Sequence, residues 1–258
     1  MLLAIDAGNT NITLGLFREQ ELIAQWRLLT DRERSGDEYE ADVRTAIERS
    51  GRDRKEVDGI AIASVVPQLD HALRQIAGSF SVQPLFVDHT TDTGLKLLYH
   101  PPSDLGADRI VDAVAAMNKY GTPCIVVDFG TATTFNAVSK DGEFLGGAIS
   151  PGLFTCAEAL FARAAKLPRV EFVRPRVAIG SSTVEAMQSG LYFGYAGLVD
   201  GVIEQMLKEM SPVSRIVATG GLAPLIATAS QYIDGIDETH TLDGLRIVYN
   251  RTERLSSG

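Results

Sequence analysis

Residues 2–11 read LLAIDAGNTN, and residues 124–133 read CIVVDFGTAT. Each stretch is an apolar run that ends in an aspartate, Asp6 or Asp128, and then turns through a glycine toward threonine. Short apolar runs that end in turn residues are typical of buried strands. The sequence therefore predicts two buried strands with the same polar turn at their ends.

The segments that follow these two stretches also repeat. After the first, alternating apolar residues over 12–16 and a run over 22–28 predict two more strands. After the second, residues 134–138 and 144–149 predict the same pair. A unit of strand, turn, strand, turn and strand that occurs twice indicates an internal duplication.

Helices and one further strand follow each repeated unit. Apolar periodicity and capping residues predict helices over residues 37–49, 107–120, 153–165 and 184–210. This order favours two α/β domains of one fold, each a mixed sheet flanked by helices, that face each other across a cleft. We expect the domains to span residues 1–115 and 116–258.

Composition and charge exclude several classes of protein. The 258 residues are 45% hydrophobic and carry 24 Lys and Arg against 33 Asp and Glu, a net charge of −9 that argues against a nucleic-acid binder. No apolar run approaches the roughly 20 residues of a membrane span, and the N-terminus lacks a secretory pattern. Two cysteines and four scattered histidines favour free thiols over structural zinc. We expect a cytoplasmic protein that binds neither membranes nor nucleic acids.

The first polar turn, Asp6 to Thr10, has residue types that suit phosphate binding. Glycine lets the backbone approach a ligand closely, Asn9 and Thr10 supply donors, and Asp6 is able to hold hydrated Mg²⁺. Asn and Gly are also the residues of ordinary hairpin turns, so one such turn is not specific. A second such turn, which starts at Asp128, favours phosphate binding over an ordinary hairpin, since two such turns facing each other would clamp a polyphosphate.

Two further motifs stand at predicted helix starts. Thr219-Gly220-Gly221 follows a strand and suits contact with a base or a phosphate, although a plain strand-to-helix turn has the same composition. Gly106-Ala107-Asp108-Arg109 opens the helix over 107–120, where Asp108 is either a first-turn helix residue or a general base beside an anion-binding Arg109. The chain has neither a P-loop nor a dinucleotide-binding glycine motif.

Taken in order, these elements resemble the type III pantothenate kinases, a branch of the superfamily that includes acetate kinase, sugar kinases, Hsp70 and actin. The resemblance spans roughly residues 3–225. The motifs that carry it are Asp6 to Thr10, Tyr99 with Pro101, Gly106 to Arg109, Asp128 to Ala132, Pro151-Gly152, Gly180 with Thr183, and Thr219 to Gly221.

The resemblance implies duplicated RNase H-like, actin-like ATPase domains with an interdomain cleft. It also implies a homodimer that phosphorylates pantothenate to 4′-phosphopantothenate with ATP, the first step of coenzyme A biosynthesis. Its cofactors would be Mg²⁺ or another divalent cation, and K⁺ or NH₄⁺.

The resemblance also implies roles for individual residues. Asp108 would be the general base, Asp6 would hold Mg²⁺ through water, and Asp128 would bind K⁺. The ATP-binding residues would be Asp6, Ala7, Gly8, Asn9, Thr10, Asn11, Ile12, Thr13, Thr131, Gly220 and Gly221. The pantothenate-binding residues would be Tyr99, Gly106, Ala107, Asp108, Arg109 and Thr183, with Thr183 supplied by the partner subunit.

Two other hypotheses retain the predicted fold but assign a different function to the protein. One is a different small-molecule kinase or a phosphatase of the same superfamily, and the other is a non-catalytic, regulatory ATP-binding protein. The presence of all three aspartates, Asp6, Asp108 and Asp128, disfavours the non-catalytic hypothesis. None of the six lysines lies in a phosphate motif, so metal ions, Arg109 and backbone N–H groups would supply the positive charge.

Overall fold

The computed structural model describes residues 1–164, 166–210 and 212–256. The chain forms two compact units, and the boundaries between them fall after Ala115 and after Thr239. The first unit contains Met1–Ala115 together with the C-terminal helix, and the second contains Ala116–Thr239.

The elements follow the predicted alternation of strands and helices. In chain order they are β1 (Leu2–Ala7), β2 (Asn11–Arg18), β3 (Glu21–Leu29), α1 (Gly36–Arg49), β4 (Gly59–Ser64), α2 (Asp70–Ser79), β5 (Leu85–Phe86), β6 (Lys96–Leu97), α3 (Ala107–Tyr120), β7 (Cys124–Phe129), β8 (Ala132–Val138), β9 (Glu143–Pro151), α4 (Leu153–Arg163), α5 (Thr183–Met210), β10 (Arg215–Thr219), α6 (Ala223–Ile226), β11 (Gly235–Ile236) and α7 (His240–Ser256). Short 3-10 turns lie between some of them, one of them at Pro102–Asp104 before α3.

The first unit contains a mixed sheet in the order β3-β2-β1-β4-β5. β1 runs antiparallel to β2 and parallel to β4, which sets Asp6 opposite Thr13 on one side and Ala63 on the other. Fully buried side chains such as Leu3, Ile5 and Leu14 form the core with α1 and α2. The predicted meander of three strands is therefore confirmed.

The second unit repeats this arrangement with its strands in the order β11-β10-β7-β8-β9. β7 runs antiparallel to β8 and parallel to β10, so Asp128 lies opposite Thr134 and Thr219. Its core packs Val127, Phe135 and the buried face of α5 together. Asp128 thus holds the same place in its sheet that Asp6 holds in the first.

The C-terminal helix α7 differs from the expectation. We assigned residues to 258 to the second domain, whereas α7 packs on strands β1, β2 and β4 of the first unit. The contact depends on glycines: a side chain at Gly244 would overlap the carbonyl of Val111, and one at Gly59 would overlap Tyr249. Tertiary packing of this kind leaves little trace in local periodicity.

Two smaller features also depart from the predictions. The helix predicted to start after Thr219-Gly220-Gly221 is only the short α6, followed by a 3-10 turn over Ala227–Ala229. The helix expected over 153–165 ends at Arg163, and Ala165 lies outside the described residues. Across the described ranges, the chain has no helix that combines the length and apolar character of a membrane span.

Candidate functional site

The first strand-end turn is open toward solvent. Gly8 N–H donates to the carbonyl of Asn11 at 2.9 Å, which closes the turn between β1 and β2. Asn9 and Thr10 are exposed at its tip, and Asp6 is half-buried at the end of β1. A Cβ at Gly8 would lie 3.2 Å from the Asn11 carbonyl oxygen, which is tight but not prohibitive. The predicted residues Asp6 to Thr13 therefore form one polar hairpin.

The segment after β3 supports this turn from behind. Thr30 N–H donates to the Thr10 carbonyl at 3.0 Å, and Thr30 Oγ1 donates to the Gly8 carbonyl at 2.6 Å. Arg32 Nη2 donates to Asn9 Oδ1 at 3.0 Å. The sequence analysis missed both residues, because only the folded hairpin brings them to the turn.

Asp108 lies in the first turn of α3, where its carboxylate is held against the backbone. Arg109 N–H donates to Asp108 Oδ1 at 2.7 Å. A Cβ at Gly106 would lie only 2.5 Å from that oxygen and 3.3 Å from Val65 Cγ1. Val65 in turn donates its N–H to the carbonyl of Ala7 at 3.1 Å. The start of α3 and the end of β1 are thus joined through one residue within the first unit.

The environment of Asp108 changes its acidity. Burial raises the pKa of the Asp108 carboxyl above its ordinary value, and the hydrogen bond from the Arg109 amide together with the Arg109 charge partly opposes this effect. Arg109 is only 6% exposed, and its guanidinium carbon lies 5.5 Å from the centre of the Tyr99 ring. The structure therefore places the Arg109 guanidinium beside the Tyr99 ring and Gly106 beside the Asp108 carboxylate, at the start of α3.

The second strand-end turn is closely packed. Gly220 has a φ of +89°, and a Cβ there would overlap the Asp128 carboxylate and lie 2.7 Å from backbone atoms of Phe129. A Cβ at Gly130 would be 3.5 Å from Asp128 Oδ2. Only glycine satisfies both the positive φ and this close approach at position 220. Asp128 and Gly220 are therefore neighbours in the second unit.

The rest of this turn is fixed by hydrogen bonds to Thr131. Its carbonyl accepts from Gly152 N–H at 3.1 Å and from Thr155 Oγ1 at 2.8 Å. A Cβ at Gly152 would lie 2.5 Å from the carbonyl oxygens of both Gly130 and Thr131. Gly221, the other glycine of its pair, is exposed beside Gly220. In the sequence, Pro151-Gly152 is only a motif of the resemblance; that Gly152 packs directly on this loop is visible only in the fold.

Thr183 lies apart from the other predicted residues of the second unit. It is exposed at the start of α5 and lines an open groove of about 530 Å³. The other residues of the groove are mostly apolar: Leu160, Leu167, Ala186, Met187, Gly190 and Leu191. Neither Asp128 nor Gly220 lines it.

Metal-binding groups are sparse. Across residues 1–164, 166–210 and 212–256, no three His, Cys, Asp or Glu side chains come together in a way that would hold a metal ion. Mg²⁺ in phosphoryl-transfer enzymes typically uses one or two carboxylates, water and the substrate phosphates, so a single aspartate at a phosphate-binding turn fits such an ion. Asp6 and Asp128 are the carboxylates at the two turns.

Comparison with known sequences gives consistent matches. A sequence model of the family described as type III pantothenate kinase matches residues 2–205. A type III pantothenate kinase from Koribacter versatilis is 50% identical over 264 residues, covering 98% of this chain and 96% of its own. One from Moorella thermoacetica is 51% identical over 252 residues, covering 97% and 99%.

Comparison with solved structures concerns the fold alone, because the identities are low. The activator of 2-hydroxyisocaproyl-CoA dehydratase from Clostridium difficile, with bound ADPNP, has a TM-score of 0.58 at 9% identity and covers 99% of this chain and 96% of its own. The ROK hexokinase from Thermus thermophilus has a TM-score of 0.51 at 14% identity, covering 100% and 99%. The predicted fold class, α/β with mixed sheets flanked by helices as in actin-like ATPases and sugar kinases, is confirmed.

Proposed function

The chain belongs to the type III pantothenate kinase family, and on that premise we propose that Asp108 is the general base of its reaction. The family phosphorylates pantothenate in coenzyme A biosynthesis, with ATP as phosphoryl donor and a divalent cation. The observation that carries the proposal is the half-buried Asp108 carboxylate at the start of α3, with its raised pKa. A carboxylate whose pKa is raised is a stronger base than an ordinary one at neutral pH.

The proposed step transfers one proton and one phosphoryl group. The primary hydroxyl of pantothenate gives its proton to a carboxylate oxygen of Asp108 as its oxygen attacks the γ-phosphorus of ATP, and ADP leaves with the electron pair of the broken P–O bond. Such a reaction depends mainly on alignment and charge neutralisation. The hydrogen bond from Arg109 N–H to Oδ1 orients the carboxylate, and Oδ2 remains the natural position for the proton.

We propose that the residues around Asp108 bind pantothenate. Arg109, buried beside the Tyr99 ring, supplies a cation for the pantothenate carboxylate, since guanidinium pairs well with carboxylates. The missing side chain at Gly106 leaves the Asp108 carboxylate room to adopt its position. Ala107 completes this set at the start of α3.

We propose that the hairpin Asp6 to Thr13 binds the phosphates of ATP. The exposed Asn9 and Thr10 offer donors to phosphate oxygens, and the half-buried Asp6 holds the divalent cation through water. When bound, this ion would neutralise charge on the phosphates. The residues Ala7, Gly8, Asn11, Ile12 and Thr13 complete the binding segment.

We propose that the second turn binds K⁺ or NH₄⁺ through Asp128. The close contact of Gly220 with the Asp128 carboxylate supports a fixed position for that carboxylate, as a cation ligand needs. Thr131 would contact ATP, and Gly220 with Gly221 would lie at the adenosine, where the absence of side chains admits a flat base. Because ATP is its substrate, we also propose that the enzyme works in the cytoplasm.

A homodimer is part of the proposal, and an exposed apolar face of the second unit supports it. Large apolar side chains that belong in a core are exposed on β9, α4 and α5, among them Ile149 (62%), Phe154 (52%) and Phe193 (45%). Large exposed apolar side chains of this kind favour burial against a partner.

Exposed glycines on α5 also support a dimer. Gly190, Gly194, Gly197 and Gly201 recur at helical spacing, and a Cβ at any of them would meet nothing within 4 Å. Such a face admits close approach of a second helix. We propose that the second copy covers it and that Thr183, at the start of α5, serves the partner's pantothenate site.

The dimer is tested with Phe193→Glu, with Leu255→Glu on α7 as a matched exposed control. We expect sedimentation equilibrium to give the wild type and the control twice the chain mass of 27.8 kDa, and Phe193→Glu to shift toward the monomer with a raised KM for pantothenate. A wild type that is monomeric at micromolar concentration would contradict this part of the proposal.

The central experiment measures ADP release with Mg-ATP and K⁺, with pantothenate beside glucose, glycerol and acetate. We expect release that depends on pantothenate, and we expect Asp108→Asn to lower kcat by about 10²- to 10⁴-fold with nearly unchanged ATP affinity. Asp104→Asn, an exposed carboxylate in the turn before α3, is the control. Wild-type turnover in Asp108→Asn would remove Asp108 from the role, and release without any acceptor would favour a phosphatase.

A further inference from the structure

Arg32 lies at the first strand-end turn in a segment that the fold holds in place. On one side, Thr30 bonds to the backbone of Gly8 and Thr10. On the other, the hydroxyl of Tyr39 accepts from Asp31 N–H at 2.8 Å and donates to the Asp31 carbonyl at 2.9 Å. Tyr39 is buried in α1. The backbone that carries Arg32 is therefore anchored to both the turn and the core.

The charge of Arg32 is not balanced by a carboxylate. Its neighbour Arg34 pairs with Asp42 at 2.8 Å and stacks on the Tyr39 ring, which raises the pKa of Arg34. Within the part of the chain that the structure describes, Arg32 makes no ion pair, and its hydrogen bond at 3.0 Å goes to the neutral Asn9 amide. In a chain with net charge −9, this leaves an exposed guanidinium at a polar turn available to an external anion.

We propose that Arg32 binds the polyphosphate of ATP at the Asp6 to Thr13 hairpin. This inference rests on the proposed phosphate-binding role of that hairpin. Guanidinium has five N–H donors, so a phosphate oxygen is able to bind while Asn9 keeps its bond, or to take the place of Asn9. The planar fork of arginine also suits bidentate contact with phosphate.

The assignment fills a gap in the chemistry of the site. Phosphoryl transfer from ATP needs positive charge beside the phosphates, and the phosphate motifs contain no lysine. Arg109 belongs to the proposed pantothenate set. Arg32 is a cation that the first unit places within hydrogen-bond distance of the hairpin tip.

The test compares Arg32→Gln with Arg44→Gln, which removes the same charge from an exposed position of α1. Glutamine at position 32 retains an amide donor for Asn9 but loses the charge, so a role limited to supporting the turn would survive. We expect the Kd for Mg-ATP to rise about tenfold or more in Arg32→Gln, with an unchanged Kd for adenosine. Arg32→Lys should recover part of the affinity, and Arg44→Gln should match the wild type.

The outcomes separate this inference from the proposed function. ATP affinity in Arg32→Gln equal to that in Arg44→Gln would overturn the role of Arg32, whether or not pantothenate is phosphorylated. Equal losses for ATP and adenosine would also overturn it, since they would indicate a general disturbance of the site. Loss for ATP alone, with partial recovery by lysine, would support it. The proposed function would instead fail if the wild type released ADP at a rate that does not depend on pantothenate.

Discussion

The two strand-end turns have nearly the same sequence pattern and very different surroundings. In the first, Asn9 and Thr10 are exposed, and the carbonyls of Gly8 and Thr10 are bonded from behind by Thr30. In the second, Gly152 and Gly220 pack so closely against the turn that a Cβ at either position would overlap its backbone or the Asp128 carboxylate. Both turns have an exposed threonine, Thr10 or Thr131, but only in the second do neighbouring glycines pack directly on the backbone and carboxylate of the turn.

The shared Asp-x-Gly pattern therefore predicts a position at the end of a strand, but it does not predict one function for both turns. The open turn is suited to phosphates that arrive and leave during each turnover. The packed turn is suited to a carboxylate in one fixed position, as a resident cation requires. We therefore expect changes at the first turn to affect phosphate binding, and changes at the second to affect stability and the response to K⁺.

The largest expected effect concerns Asp108, at the start of α3 in the first unit. The loss of kcat in Asp108→Asn should come with a gain in stability, because the folded state keeps the Asp108 proton to higher pH than the unfolded chain does. Wild-type stability falls as pH rises from the ordinary value of 3.8 through the raised folded pKa, and the variant escapes this loss.

Urea unfolding of both proteins between pH 3 and pH 8 checks this sign. The two curves should coincide at the acid end, and the variant should be the more stable one above the folded pKa of Asp108. A variant that is less stable at pH 8 would mean that the ionised carboxylate is stabilised by its surroundings, contrary to the burial argument.

The next largest effect should come from Gly220→Ala in the packed turn. The positive φ and the overlap with the Asp128 carboxylate and Phe129 should lower the free energy of unfolding by about 2 kcal/mol or more. Gly78→Ala, at an exposed position of α2 with open space around it, should instead be neutral or stabilise by up to about 1 kcal/mol. Denaturant midpoints measure the stability change of each variant. Equal midpoints for the two variants would contradict the close packing described at Gly220.

A smaller effect is expected for Gly8→Ala in the open turn. The new Cβ would lie 3.2 Å from the Asn11 carbonyl oxygen, so a shift of a few tenths of an ångström relieves the contact. We expect a loss of about 1 kcal/mol or less in the free energy of unfolding. If Gly8→Ala destabilises as much as Gly220→Ala, the two turns do not differ in packing as described.

The smallest effects should come from the one hydroxyl outside each turn that bonds to it. Thr30→Val removes a bond to the Gly8 carbonyl, and Thr155→Val removes one to the Thr131 carbonyl. Each should cost about 1 kcal/mol or less. Thr155→Val should be the milder change, because Gly152 still donates to the same oxygen. Calorimetric melting of the pair checks the order.

Much of the fold was predictable because it depends on local pattern. Apolar runs such as 124–129 and the periodicity of α3 and α5 identify buried strands and amphipathic or buried helices without tertiary information. The C-terminal helix was missed although Leu242, Leu245 and Val248 are buried at helical spacing. Gly244 lies inside this helix and lowers its helix propensity. The helix needs a glycine there because it packs closely on Val111, a contact that is visible only in the fold.

The candidate site was predictable where residues adjoin in sequence. Gly106 to Arg109 and Asp6 to Thr10 each form a continuous segment, so their residue types alone indicated chemistry. Arg32, Thr30 and Gly152 reach the turns from other strands and loops. Nothing local distinguishes Arg32 from Arg34, because the difference between them is which partner the folded chain brings near.

The most direct test of the contrast between the turns is the ratio of kcat in K⁺ to kcat in Na⁺ for wild type, Asp128→Asn and Asp6→Asn. We expect a wild type that prefers K⁺, an Asp128→Asn variant that is slow and equally active in both salts, and an Asp6→Asn variant that is slow but keeps the wild-type ratio. An Asp128→Asn variant that retains the ratio, or an Asp6→Asn variant that loses it, would contradict the division of roles between the turns.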